Sequence, residues 1–405
     1  MIPLREAQAE VLSACEPRPP VSVEVADCLG LVLAGPVFAA EAVPPFANTA
    51  MDGFAVRAED VVSASEESPT RLRVIGTLAA GHAPSGSVGP GEALRIMTGA
   101  PFPNGADAVA IVETTRSEGD DVLVSAPAMA GEHVRRAGED IESGQEVFAA
   151  GTVLGPGHVG VLCSIGCEKV AVVPAPVVGV LSTGDELIDG AGALLPGQIR
   201  DSNRRTLISL LRRDGFVAVD LGIARDDETV IERALLDGVA RCDAIITSGG
   251  VSMGDFDYVK SVLDRVGRMR WMQVAIRPAK PFAFGVIGDT PVFGLPGNPV
   301  SSMVSYEVLA RPGLRAMAGR REGSLDRPTV EAVADAPLKA AGDGRTSFVR
   351  VRAAFGAGGR LHVSITGGQG SHQLYAMALA DALAVIPPGR DAAVGDSVDV
   401  LLLGP

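Results

Sequence analysis

Val177-Val178-Gly179-Val180-Leu181 runs into Ser182-Thr183-Gly184-Asp185-Glu186, and the same grammar returns twice further along the chain. Ala244-Ile245-Ile246-Thr247 opens into Ser248-Gly249-Gly250-Val251-Ser252-Met253-Gly254-Asp255, and Val292-Phe293-Gly294-Leu295 into Pro296-Gly297-Asn298-Pro299-Val300-Ser301-Ser302. Each is an apolar run of strand length that breaks into glycine, hydroxyl and, in the first two, acid. Buried parallel strands read as continuous apolar runs, and open α/β sheets bind ligands just beyond the carboxyl ends of their strands. The three loops are therefore expected to meet in one pocket.

The surroundings fit such a sheet. Strands are expected near 177–181, 217–221, 243–247, 282–286 and 291–295, with helical patterns at 203–213, 228–240 and 257–266; Gly215, after Arg213 and Asp214, stops the first helix. This rhythm predicts a doubly wound parallel sheet over 173–318. From 319 to 405, Ser347–Val351, Leu361–Ile365, Ala382–Ile386 and Val398–Leu402 read as strands of a small β-barrel. Residues 45–136, rich in glycine and proline with short β-like pieces, read as an inserted β-rich domain. The flanking stretches 1–44 and 137–172 are expected to form one discontinuous, mixed N-terminal domain. The fold class is thus multidomain α/β.

At 405 residues the chain is too long for one core. A net charge of −14 argues against nucleic acid or an anionic membrane as partner. Five scattered cysteines without a Cys-x-x-Cys pair read as reduced thiols, and no apolar stretch has signal-peptide or membrane-spanning character, so a soluble cytoplasmic protein is expected.

The loops define a chemistry. Glycines admit close approach of backbone to ligand, and amide N–H groups at turns and helix starts attract oxyanions. Asn298 and Pro299 read as N-cap and first-turn proline of a helix over 300–309. Asp185, Glu186, Asp201, Asp226, Asp227, Asp255 and Asp257 crowd the same strand ends. Acids beside an anion-binding loop repel the ligand unless a cation intervenes, so Mg²⁺ is expected as cofactor. Helix capping is the competing role for Asp201 or Asp226. Arg277 and Lys280, held between Pro278 and Pro281, supply positive charge. The five histidines match no triad or metal spacing, and neither a Walker motif nor a dinucleotide fingerprint is present.

Taken in order, Asn48-Thr49-Ala50-Met51-Asp52-Gly53-Phe54-Ala55-Val56, Arg95-Ile96-Met97-Thr98-Gly99-Ala100-Pro101, Gly138-Glu139-Asp140-Ile141, Asp201-Ser202-Asn203 and the three loops resemble the molybdopterin molybdenumtransferases, relatives of the gephyrin E domain, over nearly the whole chain. The resemblance implies a homodimer that inserts molybdate into adenylylated molybdopterin and releases AMP, with Mg²⁺. It implies a pterin and phosphate site on Thr183, Gly184, Asp185, Ser248, Gly249, Gly250, Ser252, Pro296, Gly297, Asn298, Pro299 and Ser301. It implies Mg²⁺ at Glu186, Asp226 and Asp257, and molybdate at Arg277, Lys280, Ser301, Arg350 and Ser371. Asp52, Thr98, Glu186, Asp226, Asp257 and Lys280 would serve catalysis, the first two at the site of the other protomer. Family members often carry lysine at Gln273 and Arg277 and glycine at Ala279. The rival readings are molybdopterin adenylylation, whose enzyme resembles 173–318 alone, and a scaffold that has lost catalysis.

Overall fold

In a computed structural model, residues 1–251 and 258–404 are described. The chain divides into two compact units, one of Met1–Val21, Gly30–Ala34 and Ala171 onward, the other of Ser22–Leu29 and Gly35–Val170.

The first unit is built on a six-stranded sheet. Its strands are β1 (Val177–Thr183), β2 (Val217–Ala224), β3 (Ala244–Ser248), β4 (Arg268–Gln273), β5 (Pro281–Ile287) and β6 (Thr290–Leu295), in the order β2-β1-β3-β6-β5-β4. β2, β1, β3 and β6 are parallel, so the three loops do leave the same edge. The last two strands depart from the all-parallel expectation: β5 and β6 form an antiparallel hairpin and β4 extends it. The reason is the two-residue connection Gly288-Asp289, with Gly288 at φ +61°, which leaves no length for a crossover helix.

Alternation along the strands feeds two cores. Val178, Val180, Ala244, Ile246, Phe293 and Leu295 face one way, toward helices α1 (Leu4–Leu12), α2 (Asn203–Arg213) and the long helix after residue 298. Leu181, Ile245 and Val292 face the other, toward α3 (Glu228–Val239) and α4 (Tyr258–Val266). Covered on both faces, the sheet explains the unbroken apolar runs of the sequence.

The helix after 298 runs as α5 (Pro299–Ser305), one π-type turn (Tyr306–Ala310) and α6 (Arg311–Met317). The turn carries a buried ion network. Asp214 accepts from Arg311 Nε at 3.2 Å, Arg327 Nη2 at 2.9 Å and Tyr306 Oη at 2.8 Å; Glu307 accepts from Arg213 at 2.6 Å and Arg327 at 2.8 Å. Pairing and hydrogen bonds within the network offset the cost of burying these charges.

The same unit ends in a closed five-stranded barrel of β7 (Thr329–Ala334), β8 (Thr346–Phe355), β9 (Leu361–Ile365), β10 (Ala382–Ile386) and β11 (Ser397–Leu402), in the ring order β8-β9-β7-β11-β10-β8. Alternate Val, Ala, Leu and Ile residues fill it. One edge of β8 is shared: Thr346 and Ser347 pair with Ile276 and Arg277, while β9 takes over only at Val351. Residues 348–350 are left between these two partners.

The second unit carries a six-stranded sheet in the order Ala108–Ile111, Gly53–Val56, Glu92–Ile96, Thr70–Leu78, Asp121–Val124, Thr115–Glu118, over a core that includes Phe54, Val56, Leu72 and Val122. Helix Pro156–Ser164 and strand Lys169–Val173 follow in the chain.

Candidate functional site

At the carboxyl edge of the parallel strands, Ser182, Thr183, Glu186, Asn203, Ser248, Gly249, Gly297 and Pro299 share the wall of one cavity of about 170 Å³. Two glycines make the wall this close. Gly249 sits at φ +98°, and a Cβ there would lie 2.9 Å from Thr183 O and 3.1 Å from Thr183 Oγ1. Gly184 has φ +146°, and a Cβ would collide with the Glu186 carboxylate. Gly250 is also in the left-handed region, at φ +68°. Gly249 N donates to Leu295 O at 3.1 Å, tying the second loop to the end of the third strand.

Asn203 completes the tie. Its Nδ2 donates to Ser248 Oγ at 2.8 Å and to Gly297 O at 2.7 Å, so one carboxamide bridges two loops while lining the cavity. The sequence placed Asn203 in a motif but gave it no role. Asn298 does occupy the N-cap position before Pro299, yet its side chain makes no capping bond; Val300 N–H, one of the free donors expected there, is taken by Ser371 O at 3.0 Å. Pro296 is buried at the end of β6, and Ser301 is buried in the first turn of α5.

The acids separate into two groups. Asp201 accepts from Ser182 Oγ at 3.0 Å, Arg204 N at 3.1 Å and Arg204 Nε at 2.8 Å, so it caps and braces α2. The same buried guanidinium reaches Asp189 at 2.6 Å and Asp220. Burial pulls the Arg204 pKa down, but the bonds to Asp201, Asp189 and Asp220 outweigh it and leave it raised. Asp226 is no cap, because Asp227 takes Val230 N at 2.9 Å. Asp226 instead faces Asp185, each carboxylate accepting the other's amide at 3.4 and 3.3 Å.

Exposed Glu186 and Asp226 are hard oxygen donors of the kind Mg²⁺ takes. Among the described residues no group of three such side chains closes on a metal. Asp257 and Ser252, expected here, lie outside the described residues.

Of the candidate cations, Arg350 is the most deeply buried, and it is not among the residues that line the cavity at the strand ends. Its side chain is fully buried, and Nη2 donates to Gly368 O at 2.8 Å and Gly370 O at 3.2 Å, while Nε and Nη1 have no partner among the described residues. Burial alone holds this guanidinium below the usual arginine range. A cation buried without an acid is costly unless an anion arrives. The loop that carries its carbonyl partners also carries Ser371, whose bond to Val300 N joins it to the start of α5. Arg277, exposed, lines a second cavity of about 220 Å³ with Ser347, Phe348, Val349 and Gln369, at the gap in the barrel edge. Lys280 is half-buried and placed through its carbonyl, which accepts Val274 N at 2.7 Å.

The chain matches family models along its length: "MoeA N-terminal region (domain I and II)" over residues 2–166, "Probable molybdopterin binding domain" over 179–316 and "MoeA C-terminal region (domain IV)" over 331–403. It is 38% identical over 386 residues to molybdopterin molybdenumtransferase 2 of Mycobacterium tuberculosis strain H37Rv, covering 94% of this chain and 93% of that one. The chain belongs to the molybdopterin molybdenumtransferase family. The Haemophilus influenzae molybdopterin molybdenumtransferase is 37% identical over 360 residues, 88% of this chain and 87% of its own. A crystal structure of a molybdopterin biosynthesis moeA protein from Pyrococcus horikosii superposes with a TM-score of 0.82 at 33% identity, covering 100% of both chains. Membership makes the protein an enzyme of molybdenum cofactor biosynthesis. Among the described residues no helix is long and apolar enough to cross a membrane.

The second unit holds a defined pair of its own. Asp52 Oδ1 accepts from Thr98 N at 2.7 Å and Thr98 Oγ1 at 2.8 Å. The backbone bond, then the hydroxyl bond, hold the Asp52 carboxyl below the usual carboxylate range.

Proposed function

We propose that the enzyme inserts molybdate into adenylylated molybdopterin with release of AMP, as a Mg²⁺-dependent homodimer. The observation that carries this reading is the buried, half-satisfied guanidinium of Arg350, joined through Ser371 and Val300 to the phosphate-type loops. A dinegative oxyanion fits donors that no acceptor among the described residues has claimed. The pterin and its phosphate belong on the loops of Thr183, Ser248 to Gly250 and Gly297 to Ser301, where close backbone and hydroxyl groups replace water. Arg277, Lys280 and Ser301 add charge and donors for molybdate. Asp52, held ionised by Thr98, is assigned to the site of the second copy.

Glu186 and Asp226, with Asp257, would hold Mg²⁺, which supplies charge neutralisation at the phosphoanhydride. Water takes the place of the pterin phosphate on AMP as the anhydride opens, and the loops retain the pterin for molybdate. Adenylylation of molybdopterin is the weaker reading, because it gives the barrel and its buried arginine no task.

The test is AMP release from adenylylated molybdopterin by the full chain. Release that requires molybdate, stops with chelator and falls at least a hundredfold in Glu186→Gln supports the proposal. AMP formation independent of molybdate, or ATP-dependent adenylylation of free molybdopterin, refutes it.

A further inference from the structure

The gap in the barrel edge has an unusual filling. Strand pairing on that side of β8 stops after Ser347 and resumes at Val351, so Arg350 has no strand partner on this edge, while on the other it pairs with Leu383 of β10. A side chain takes the place of the strand. Arg350 N donates to Gln369 Oε1 at 3.0 Å, and Gln369 Nε2 donates to Arg350 O at 3.3 Å and to Gly367 O at 3.1 Å. The carboxamide thus imitates a peptide group: it satisfies the Arg350 N–H, which burial would otherwise make costly, and adds to the bond that Arg350 O already accepts from Thr366 N at 3.3 Å.

The clamp has a second effect. Gln369 lies between Gly368 and Gly370, whose carbonyls hold Arg350 Nη2. Fixing the middle of that loop to the backbone of Arg350 fixes both carbonyls relative to its guanidinium. On the far side Gln373 Oε1 accepts Gly370 N at 2.7 Å, which pins the loop again. A continuous strand in this place would have used the same backbone groups without presenting two inward carbonyls to the arginine. The gap is what lets Nη2 be held while Nε and Nη1 stay unclaimed.

We propose that Gln369 is a positioning residue for oxyanion recognition: it substitutes for a missing strand so that Arg350 is held by one nitrogen and offers the other two to molybdate. This rests on the reading of Arg350 given above. Gln369 has no part in pterin binding on the α/β loops, so its loss is expected to appear in one substrate alone.

The experiment compares the full-length wild type with Gln369→Leu, Gln369→Asn and Thr366→Val, measuring kcat and KM for molybdate and for adenylylated molybdopterin, together with direct titration of tungstate as a molybdate mimic. Gln369→Leu should raise the molybdate KM and weaken tungstate binding roughly tenfold, the equivalent of about one neutral hydrogen bond, with the pterin KM unchanged. Gln369→Asn, a methylene shorter and able to reach one backbone group at a time, should fall between; it also carries the test if the leucine variant does not fold. Thr366 Oγ1 donates to Arg350 O at 3.2 Å without holding the carbonyl loop, so Thr366→Val should leave the molybdate KM near wild type. Unchanged molybdate KM in both Gln369 variants, or equal changes for the two substrates, overturns the inference. If wild type itself binds no tungstate, the proposed function fails and takes the inference with it; binding by wild type and equally by Gln369→Leu removes the inference alone.

Discussion

Replacing Arg350 by methionine should make the ligand-free protein more stable while abolishing its response to molybdate. The buried guanidinium leaves Nε and Nη1 without partners among the described residues. Each unsatisfied buried donor costs about 1–3 kcal/mol, and the two carbonyl bonds forfeited by the substitution, donated by a charged group, return about 1.5–3 kcal/mol each. At mid-range these terms roughly cancel, so the removal of the buried charge itself sets the sign; replacing buried charge by an apolar side chain of similar size stabilises by about 1–4 kcal/mol, and a gain of roughly 2 kcal/mol is expected. For a unit of this size that is about 4–8 °C in melting temperature. The assay is calorimetry of the full chain in buffers free of sulfate and phosphate, with and without molybdate. At a hundredfold excess over Kd, molybdate should stabilise wild type by about 2.7 kcal/mol and leave Arg350→Met unmoved. A methionine variant that melts below wild type without any oxyanion would refute the reasoning, because it would mean the guanidinium already has its partners.

Three further outcomes follow from other parts of the site. Arg204→Lys cannot reach Asp201, Asp189 and Asp220 together, and leaving Asp201 buried without its partner should cost about 3–5 kcal/mol in urea unfolding. Asn203→Ala unties Ser248 from Gly297 and should raise the KM for adenylylated molybdopterin roughly tenfold in steady-state assays, with the molybdate KM held. Thr98→Val removes the hydroxyl bond but keeps the amide bond to Asp52, so the carboxyl should titrate higher than in wild type yet still below an ordinary aspartate, as read by carbon NMR. Because that pKa is depressed, the pair adds stability above the unfolded aspartate range and loses it as pH falls through the folded value; the variant should show less of this acid-side loss.

The sheet was legible because both its faces are covered, which leaves β1, β3 and β6 with apolar runs that only a buried strand explains. The hairpin of β5 and β6 was not, since direction depends on the two-residue turn at Gly288 and not on hydrophobicity. β4, Arg-Met-Arg-Trp-Met-Gln, escaped notice although its alternation is that of a half-covered edge strand. β7 hid for a similar reason, its alanines and single glutamate giving a weak pattern.

In the site, the glycine loops could be read because positive φ and close approach demand that residue type. Asn203 and Gln369 could not. They act on backbone atoms 94 and 19 residues away, and an amide side chain carries no signature of such a partner. The capping alternative for Asp201 and Asp226 was resolved only by geometry: Asp201 takes the Arg204 amide, whereas the neighbour of Asp226 does the capping at α3.

The most direct test of the account is the anomalous-scattering position of tungsten in crystals of the full chain soaked with tungstate and adenylylated molybdopterin. The metal oxyanion is expected within hydrogen-bonding distance of Arg350 Nε and Nη1, with the pterin phosphate on the loops of Thr183, Gly249 and Gly297. Tungsten bound elsewhere, with the Arg350 guanidinium unoccupied, would contradict it.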